Sequence, residues 1–366
     1  MTDGPVGVGL VGYGMSGSSL HGPLITAEPR LDLRGVATLE PDQVRDLPGV
    51  PVLPTVAALL DDPAVELVVV AVQNAAHHDI ARTALEAGRH VVVDKPFTLT
   101  TEQADDLIRL AEDRGLCLSV FHQRRWDADH LTIRRCVEAG LLGTVTTYIA
   151  RYDRFRLGTP ARWTDEDRPG AGVLYDLGGH LIDQALQLFG APQTVWADLL
   201  TQRPGGGAVD YAHLVLGYDT LRVLLHVGSL VRASGPRFEV HGDRGSFVKD
   251  GMDGQIAAML AGGRPGDPGW GTEPADRHGT LTTELGGLVS TGRLASVPGS
   301  YEVFYRAMAA AVRGDGPVPV APEQARDVVR VIECAMASSR EGRVVPVGAP
   351  RTRGSGSGAA GAILPP

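Results

Sequence analysis

The first third of the chain alternates short apolar runs with amphipathic segments. Apolar, largely β-branched runs occupy residues 6–11, 31–37, 64–72, 91–93 and 116–121. Helical periodicity occupies residues 79–87 and 101–114, and Gly88 follows the first of these segments. Unbroken apolar runs are typical of strands buried on both faces. Because strand–helix–strand units repeat, the pattern predicts right-handed crossovers and an α/β domain with a parallel sheet over residues 1–121.

After Phe121 the apolar residues recur at every second position. Runs of this kind cover residues 144–151, 193–200, 213–227 and 238–248, with turn signals at 217–220 and 242–245. The pattern predicts an α+β domain over residues 122–349, built on a large open and mostly antiparallel sheet. One sheet face is expected to pack helices, and the other to pair subunits in a homodimer or homotetramer. Residues 350–366 are rich in Gly and Ser and are predicted to form a flexible tail.

Composition adds bounds to this picture. The 366 residues are 43% hydrophobic and 21% charged, which suits two globular cores. The net charge is −9 without a basic block, so we expect no nucleic-acid partner. Three widely spaced cysteines fit neither a disulfide framework nor a zinc site, so no metal is expected. No signal peptide is recognised, and no apolar run approaches about 18 residues, so a cytoplasmic protein without membrane contact is expected.

A glycine motif follows the first predicted strand. Gly12, Gly14 and Gly17 form G-x-G-x-x-G at the start of a helical segment. In a Rossmann domain these glycines allow the tight turn, the approach of a pyrophosphate and close helix packing. We therefore predict that residues 12–17, including Tyr13, Met15 and Ser16, bind a dinucleotide. The alternative is a glycine-rich turn without a ligand.

The end of the second strand leaves the choice of dinucleotide open. An acid here binds the ribose hydroxyl of NAD, whereas a small polar residue with a nearby Arg admits the phosphate of NADP. The chain has Thr38, then Glu40, then Arg45. Glu40 has a second explanation as an acid at a helix N-terminus.

Polar residues also follow the next two buried strands. Asn74 and His77 come after one, and Asp94 and Lys95 end the other. Carboxyl ends of parallel strands meet at one crevice, so we expect Lys95 to be catalytic or to grip substrate, and Asn74 and His77 to contact the nicotinamide ribose. Asp94 and Lys95 are also predicted to bind the cofactor. A surface lysine and a surface or capping histidine are the alternatives.

The second domain contains an Asp/His pair. Asp176 and His180 lie four residues apart before an apolar helical pattern that runs to about Phe189. On one helix face the carboxylate would orient the imidazole and make it a general base. The alternative is a capping aspartate with a buried histidine. Tyr152 and Trp163 lie in polar–aromatic stretches that would suit either a sugar pocket or a structural role.

Taken together, these residues resemble the Gfo/Idh/MocA oxidoreductase family over about residues 5–345, with the nearest likeness to its NADP-dependent scyllo-inositol 2-dehydrogenases. The matching motifs are Gly12-Tyr13-Gly14-Met15-Ser16-Gly17, His21-Gly22-Pro23, Asn74-x-x-His77, Asp94-Lys95-Pro96, Arg124-Arg125-Trp126-Asp127 and Asp176-x-x-x-His180-x-x-Asp183. The resemblance implies that Lys95 and His180 grip a substrate hydroxyl and relay its proton. It implies that Asp176 holds the substrate or the base, and Arg124 is expected to contact the substrate. Hydride would pass to the nicotinamide, and the substrates would be polyols or pyranoses.

Two residues depart from the family pattern. Asp94 stands where a Glu is usual, and Glu40 lies about where NADP-dependent relatives have Arg. The resemblance slightly favours NADP and Glu40 argues against it, so NADP and NAD both stay open. The leading hypothesis is an NAD(P)-dependent dehydrogenase of a cyclic polyol or sugar. The alternatives are NAD-dependent glycoside hydrolysis through transient oxidation and a non-catalytic sugar-sensing regulator. Retention of Lys95, Asp176 and His180 argues against the regulator.

Overall fold

The first sheet is parallel and six-stranded. The structure is a computed structural model that describes residues 4–158 and 163–348. The strand order is β3-β2-β1-β4-β5-β6. Its strands are β1 (Val6–Val11), β2 (Leu31–Ala37), β3 (Val52–Leu53), β4 (Leu67–Val70), β5 (His90–Asp94) and β6 (Leu118–Phe121). The order reverses between β1 and β4, where open α/β sheets bind ligands beyond the strand ends. The predicted α/β fold is confirmed, and it is doubly wound.

Helices cover both faces of this sheet, which is why its central strands are continuously apolar. They are α1 (Gly22–Ala27), α2 (Val56–Leu60), α3 (His77–Glu86) and α4 (Thr101–Arg114). A π-helical turn, Gly17–His21, leads into α1. The third predicted strand, 64–72, is wrong in length, since β4 spans only Leu67–Val70. β3 and α2 were not predicted, because two and five residues are too few to show a period.

The second sheet has nine strands in the order β14-β13-β12-β11-β7-β10-β9-β8-β15. Its strands are β7 (Val145–Asp153), β8 (Thr194–Leu200), β9 (Tyr211–Gly217), β10 (Arg222–Gly228), β11 (Phe238–Gly242), β12 (Gly245–Lys249), β13 (Gly279–Leu285), β14 (Leu288–Leu294) and β15 (Val345–Pro346). Pairing is antiparallel except between β7 and β10, which run parallel. The mostly antiparallel sheet is therefore confirmed, and the run at 213–227 is two strands joined at the predicted turn.

One face of the second sheet is covered by helices. The helices of this part of the chain are α5 (Ala128–Glu138), α6 (Gly179–Phe189), α7 (Gln255–Leu260), α8 (Glu302–Arg313) and α9 (Pro322–Glu341). In β7, Tyr148 and Ala150 point to the covered face and are fully buried. Side chains of the opposite face, such as Trp196, remain partly exposed.

The two hydrophobic cores do not divide strictly by position in the sequence. Tyr301, Phe304 and Tyr305 belong to the core of the first sheet, and the Phe121 and Phe304 rings lie 4.9 Å apart. The segment that contains α8 thus packs in the first core, while the predicted boundary at residue 121 stays a prediction. The predicted tail, 350–366, lies outside the described residues. Within the described ranges, every helix is too short or too polar to span a bilayer.

Candidate active site

The glycine loop has the backbone geometry that the motif requires. Gly12 has φ 92°, and a Cβ there would lie 2.2 Å from the Ala71 carbonyl oxygen. A Cβ on Gly17 would lie 2.3 Å from the Gly12 carbonyl oxygen. A Cβ on Gly14 would have open space around it, with no heavy atom within 4 Å. The first and third glycines therefore permit tight packing, and the second leaves backbone accessible, which fits the pyrophosphate of a dinucleotide.

The glycine loop is tied to the end of β5 through Asp94. The Ser16 hydroxyl donates to Asp94 Oδ2 at 2.6 Å, and the Lys95 amide donates to Asp94 Oδ1 at 2.7 Å. Burial raises the pKa of the Asp94 carboxyl, but His21, Lys95 and Ser16 together outweigh it and hold that pKa below its ordinary value. An ionised Asp94 thus fixes Lys95 next to the loop.

Lys95 reaches across to the second domain. Its Nζ donates to the Asp176 carbonyl oxygen at 2.7 Å and to Asp176 Oδ1 at 3.2 Å. Burial raises the pKa of the Asp176 carboxyl, while Lys95, Arg154 and Arg124 lower it by more, so the net direction is down. The two sides of the predicted crevice therefore meet as an ammonium–carboxylate pair.

His180 lies close to this pair as a neutral ring. It is 4% exposed, and its Nδ1 is buried without a hydrogen-bond partner among the described residues. Burial is the main cause that holds its pKa well below 6.5, and the charges of Lys95 and Arg124 act in the same direction. The imidazole is therefore free to accept a proton at neutral pH.

The expected pair of Asp176 and His180 does not form among the described contacts. The Asp176 carboxylate contacts Lys95 instead. Residues Leu174–Gly178 form a π-helical turn ahead of α6, and this turn is wider than the α-helical turn that aligns positions four apart. The assumption of one regular helix was therefore wrong.

Asn74 and His77 make hydrogen bonds to backbone carbonyl oxygens around the crevice. Asn74 Nδ2 donates to the Gly170 carbonyl oxygen at 2.7 Å. The ring nitrogens of His77 lie 2.7 Å from the Pro96 carbonyl oxygen and 3.2 Å from that of Val72. Burial lowers the pKa of His77, so one nitrogen donates at a time. Their predicted contacts with the cofactor ribose stay predictions.

The residues predicted to select the cofactor lie at the end of β2. The Gly12 amide donates to the Ala37 carbonyl oxygen at 2.8 Å, which places Thr38 beside the glycine loop. Glu40 is exposed, and its amide donates to Thr38 Oγ1 at 3.2 Å. Tyr13 is buried and donates to Asp46, whereas the Met15 side chain is 67% exposed.

The predicted substrate residues are only partly brought together. Arg124 donates to Asp127 Oδ2 and to the Tyr152 hydroxyl, each at 2.9 Å. Its charge also acts on both Asp176 and His180, so Arg124 and Tyr152 lie near the pair. Trp163 is half-buried on the short turn Trp163–Asp165. Its predicted contact with substrate stays a prediction.

Sequence reasoning did not assign a role to the ion pair that positions α6. Arg125 binds Asp183 through Nε at 2.9 Å and Nη2 at 2.6 Å, and both side chains are buried. Gln184 Nε2 also donates to the Arg124 carbonyl oxygen at 2.9 Å. These contacts fasten the helix of His180 to the segment after β6. The signal was the position of Asp183, three residues after His180.

Comparison with known proteins agrees with this arrangement. Residues 6–122 match the family described as "Oxidoreductase family, NAD-binding Rossmann fold", and residues 134–347 match "Oxidoreductase family, C-terminal alpha/beta domain". The chain belongs to the Gfo/Idh/MocA oxidoreductase family.

Relatives of the chain include named dehydrogenases. The chain is 42% identical over 339 residues to scyllo-inositol 2-dehydrogenase (NADP(+)) IolW of Bacillus subtilis, covering 92% of this chain and 95% of that protein. It is 30% identical over 202 residues to D-glucoside 3-dehydrogenase of Escherichia coli, covering 52% of this chain and 56% of that protein. The solved structure of the oxidoreductase yvaA from Bacillus subtilis superposes with a TM-score of 0.91 at 41% identity, covering 94% of this chain and 99% of that one.

Proposed function

We propose that this protein is an NAD(P)-dependent dehydrogenase that oxidises a secondary alcohol of a cyclic polyol or sugar. The supporting observation is the series of contacts from Ser16 through Asp94 to Lys95 and Asp176. It connects the glycine loop to an ammonium group, and the charge of that group acts on the neutral imidazole of His180. The relatives named as inositol and glucoside dehydrogenases support the substrate class.

In this proposal Lys95 and His180 divide the work on the hydroxyl. Two hydrogen bonds of Nζ go to Asp176, which leaves the ammonium one further proton to donate. That proton would bind the substrate oxygen and stabilise the negative charge that develops on it. The neutral imidazole of His180 would accept the hydroxyl proton. When bound, the nicotinamide supplies the hydride acceptor.

Asp176 and Arg125 act on these groups indirectly. Asp176 holds Nζ in position through its carboxylate and its carbonyl oxygen. The Arg125–Asp183 ion pair fixes the helix that carries His180. For the cofactor, the similarity to an NADP-dependent relative slightly favours NADP, whereas Glu40 argues against it.

The test uses Lys95→Met and His180→Asn. Each is expected to lower kcat on a polyol or sugar by roughly 100-fold or more, because removal of an acid–base group costs about that much. Binding of NADP and NAD, measured by isothermal titration calorimetry, should change little. His278→Asn is the matched control, since that ring contacts the Glu273 carbonyl oxygen in the second domain.

Wild-type turnover in both variants would contradict the proposed roles. Net formation of reduced nicotinamide from a free polyol would separate this function from glycoside cleavage, which returns the cofactor unchanged. A chain that binds the sugar and reduces neither nicotinamide would instead fit the regulator.

A further inference from the structure

The cations around the candidate active site fall into two groups. Most have a carboxylate within salt-bridge distance. These pairs are Lys95–Asp176 at 3.2 Å, Arg124–Asp127 at 2.9 Å, Arg125–Asp183 at 2.6 Å and Arg203–Asp165 at 2.5 Å. Arg154 and Arg237 differ, because among the described residues neither has a carboxylate within 4 Å. Residues 159–162, which are not described, are Thr, Pro, Ala and Arg and contain no acid.

Arg154 is held at the edge of the site by its backbone. It follows β7 directly, its amide donates to the Gly228 carbonyl oxygen at 2.9 Å, and its carbonyl oxygen accepts from the Val231 amide at 3.0 Å. This extended stretch places Arg154 on the same face as Tyr152, two residues earlier. That is the covered face, the one that α6 packs against.

The Arg154 guanidinium has unused hydrogen-bonding capacity. Its Nε is buried and has no partner within the part of the chain that the structure describes. The carboxylates whose charge acts on it are Asp176 and Asp165, and these already bind Lys95 and Arg203. Buried donors normally have an acceptor, so an unmatched one beside a site points to a group that arrives with a ligand.

Arg237 provides a second charge behind Tyr152. It is 4% exposed, and its Cζ lies 5.1 Å from the Tyr152 ring centroid. Its Nη1 donates to the Arg151 carbonyl oxygen, whereas Nε and Nη2 lack partners in the described ranges. Asp129 is a buried carboxyl whose charge interacts with that of Arg237, but burial raises its pKa to about 7, so it is only partly ionised at neutral pH. The site therefore carries positive charge that the protein does not neutralise.

We propose that the substrate carries an anionic oxygen group, a carboxylate or a phosphate, and that Arg154 binds it. A guanidinium presents paired N–H donors that match the oxygens of either group. Arg237 adds to the positive potential without contacting the anion. The inference rests on the proposed dehydrogenase function and narrows its substrates to acidic sugars or polyols.

The experiment compares compounds that share one ring: D-glucose, D-glucuronate and D-glucose 6-phosphate, with D-galactose and D-galacturonate as a second set. Reduction of each nicotinamide is measured with cofactor saturating. We expect kcat/KM for an acidic member to exceed that of its neutral partner by about tenfold or more, and to fall as salt is added. The carboxylate and phosphate members distinguish the two anions.

Variants locate the effect. Arg154→Gln should raise KM for the acid by about tenfold or more and leave the neutral sugar within about threefold. Arg154→Lys, which keeps the charge and loses the paired donors, should lie between. Arg151→Gln is the matched control, because Arg151 lies on β7 three residues before Arg154, points to the opposite face and pairs with Glu239. It should leave the preference for acids unchanged.

The outcomes separate the two proposals. Neutral members that react as well as the acids, or an acid preference that survives in Arg154→Gln, would overturn the anionic substrate and leave the dehydrogenase proposal standing. If no member reduces either nicotinamide, activity on these aldoses is excluded, and the cyclic polyols remain as substrates of the proposed dehydrogenase. Calorimetry with the same compounds then tests whether Arg154 binds an anionic group. The inference holds if the acids bind the wild-type protein and do not bind Arg154→Gln. Any other result overturns it.

Discussion

His180 owes its proposed role to surroundings that keep it uncharged. Burial disfavours the imidazolium form, and Lys95 and Arg124 repel it further. An isolated histidine would be half protonated at pH 6.5, and a protonated ring accepts no proton. Lowering the pKa therefore keeps the base active into mildly acidic solution, while Lys95 supplies the positive charge at the reacting oxygen.

A pH profile tests this environment. Because the pKa of His180 lies well below 6.5, we expect kcat/KM to stay at its plateau at pH 6.5 and to decline only at lower pH. The measurement is kcat/KM against pH, with the unfolding of the protein followed in parallel. A decline centred at or above pH 6.5 that His180→Asn abolishes would show that the ring is not held neutral.

Glu40 offers a second test at the level of one residue. Its exposed carboxylate lies just after β2, where it would repel a 2′-phosphate and accept a hydrogen bond from a 2′-hydroxyl. Glu40→Gln should therefore raise the NADP to NAD affinity ratio by roughly fivefold at low salt, with less effect at high salt. Calorimetric dissociation constants for both nucleotides give the ratio. Asp42→Asn makes the same charge change two residues away, and an equal shift there would mean that Glu40 has no specific part.

Helices were predicted from the sequence where local signals agree with one another. α4 has the predicted bounds, because Thr100 caps its first turn by accepting from the Gln103 amide and Gly115 ends it at φ 63°. The two π-helical turns were missed, since they lie in glycine-containing segments whose spacing also suits an α-helix. One of them contains Asp176 and ends just before the helix of His180. Missing this turn led to the wrong prediction that Asp176 pairs with His180.

The first turn of α5 contains a buried carboxyl that makes the stability of the fold depend on pH. Burial raises the pKa of Asp129 to about 7, and the charges of Asp127 and Asp253 act in the same direction. The unfolded value is near 3.9, so between these pH values the folded state binds more protons and loses stability as the pH rises.

Asp129→Asn removes this titration. The free energy of unfolding of the variant, relative to that of the wild type, should increase as the pH rises from 4 to 8. The increase should reach about 4 kcal/mol for a shift of three pKa units. Urea unfolding at several pH values measures the difference. Asp113→Asn removes an exposed carboxyl on α4 and is the control for the loss of one acidic group. A flat difference for Asp129→Asn would contradict the raised pKa.

At the scale of the whole molecule, contacts between the domains assemble the site. Asn74 to Gly170 and Lys95 to Asp176 join strand ends of the first sheet to the segment before α6. The return of α8 to the first core adds a third connection. Periodicity and motifs predicted both domains and the residues at their ends. They could not predict which side chains meet, because that depends on packing between segments about 80 residues or more apart.

An oligomer is expected to form through the face of the nine-stranded sheet that no described helix covers. Trp196 is 36% exposed there, and its ring lies 6.1 Å from that of His213. The rings of Tyr211 and His226 are 5.3 Å apart on the same face. A monomer would leave this aromatic group in water, whereas an isologous pairing of two sheets would bury it.

We therefore expect a dimer or tetramer in sedimentation velocity at micromolar concentration, and a shift toward monomer in Trp196→Glu. A charge placed in a tightly packed interface loses its hydration without gaining a partner, so the dissociation constant should rise by about 100-fold or more. Leu260→Glu is the control, because Leu260 is 60% exposed on α7, away from this face. Monomeric wild-type protein, or an equal rise of the dissociation constant in both variants, would show that copies of the chain do not meet through this face. Circular dichroism of each variant distinguishes that result from loss of the fold.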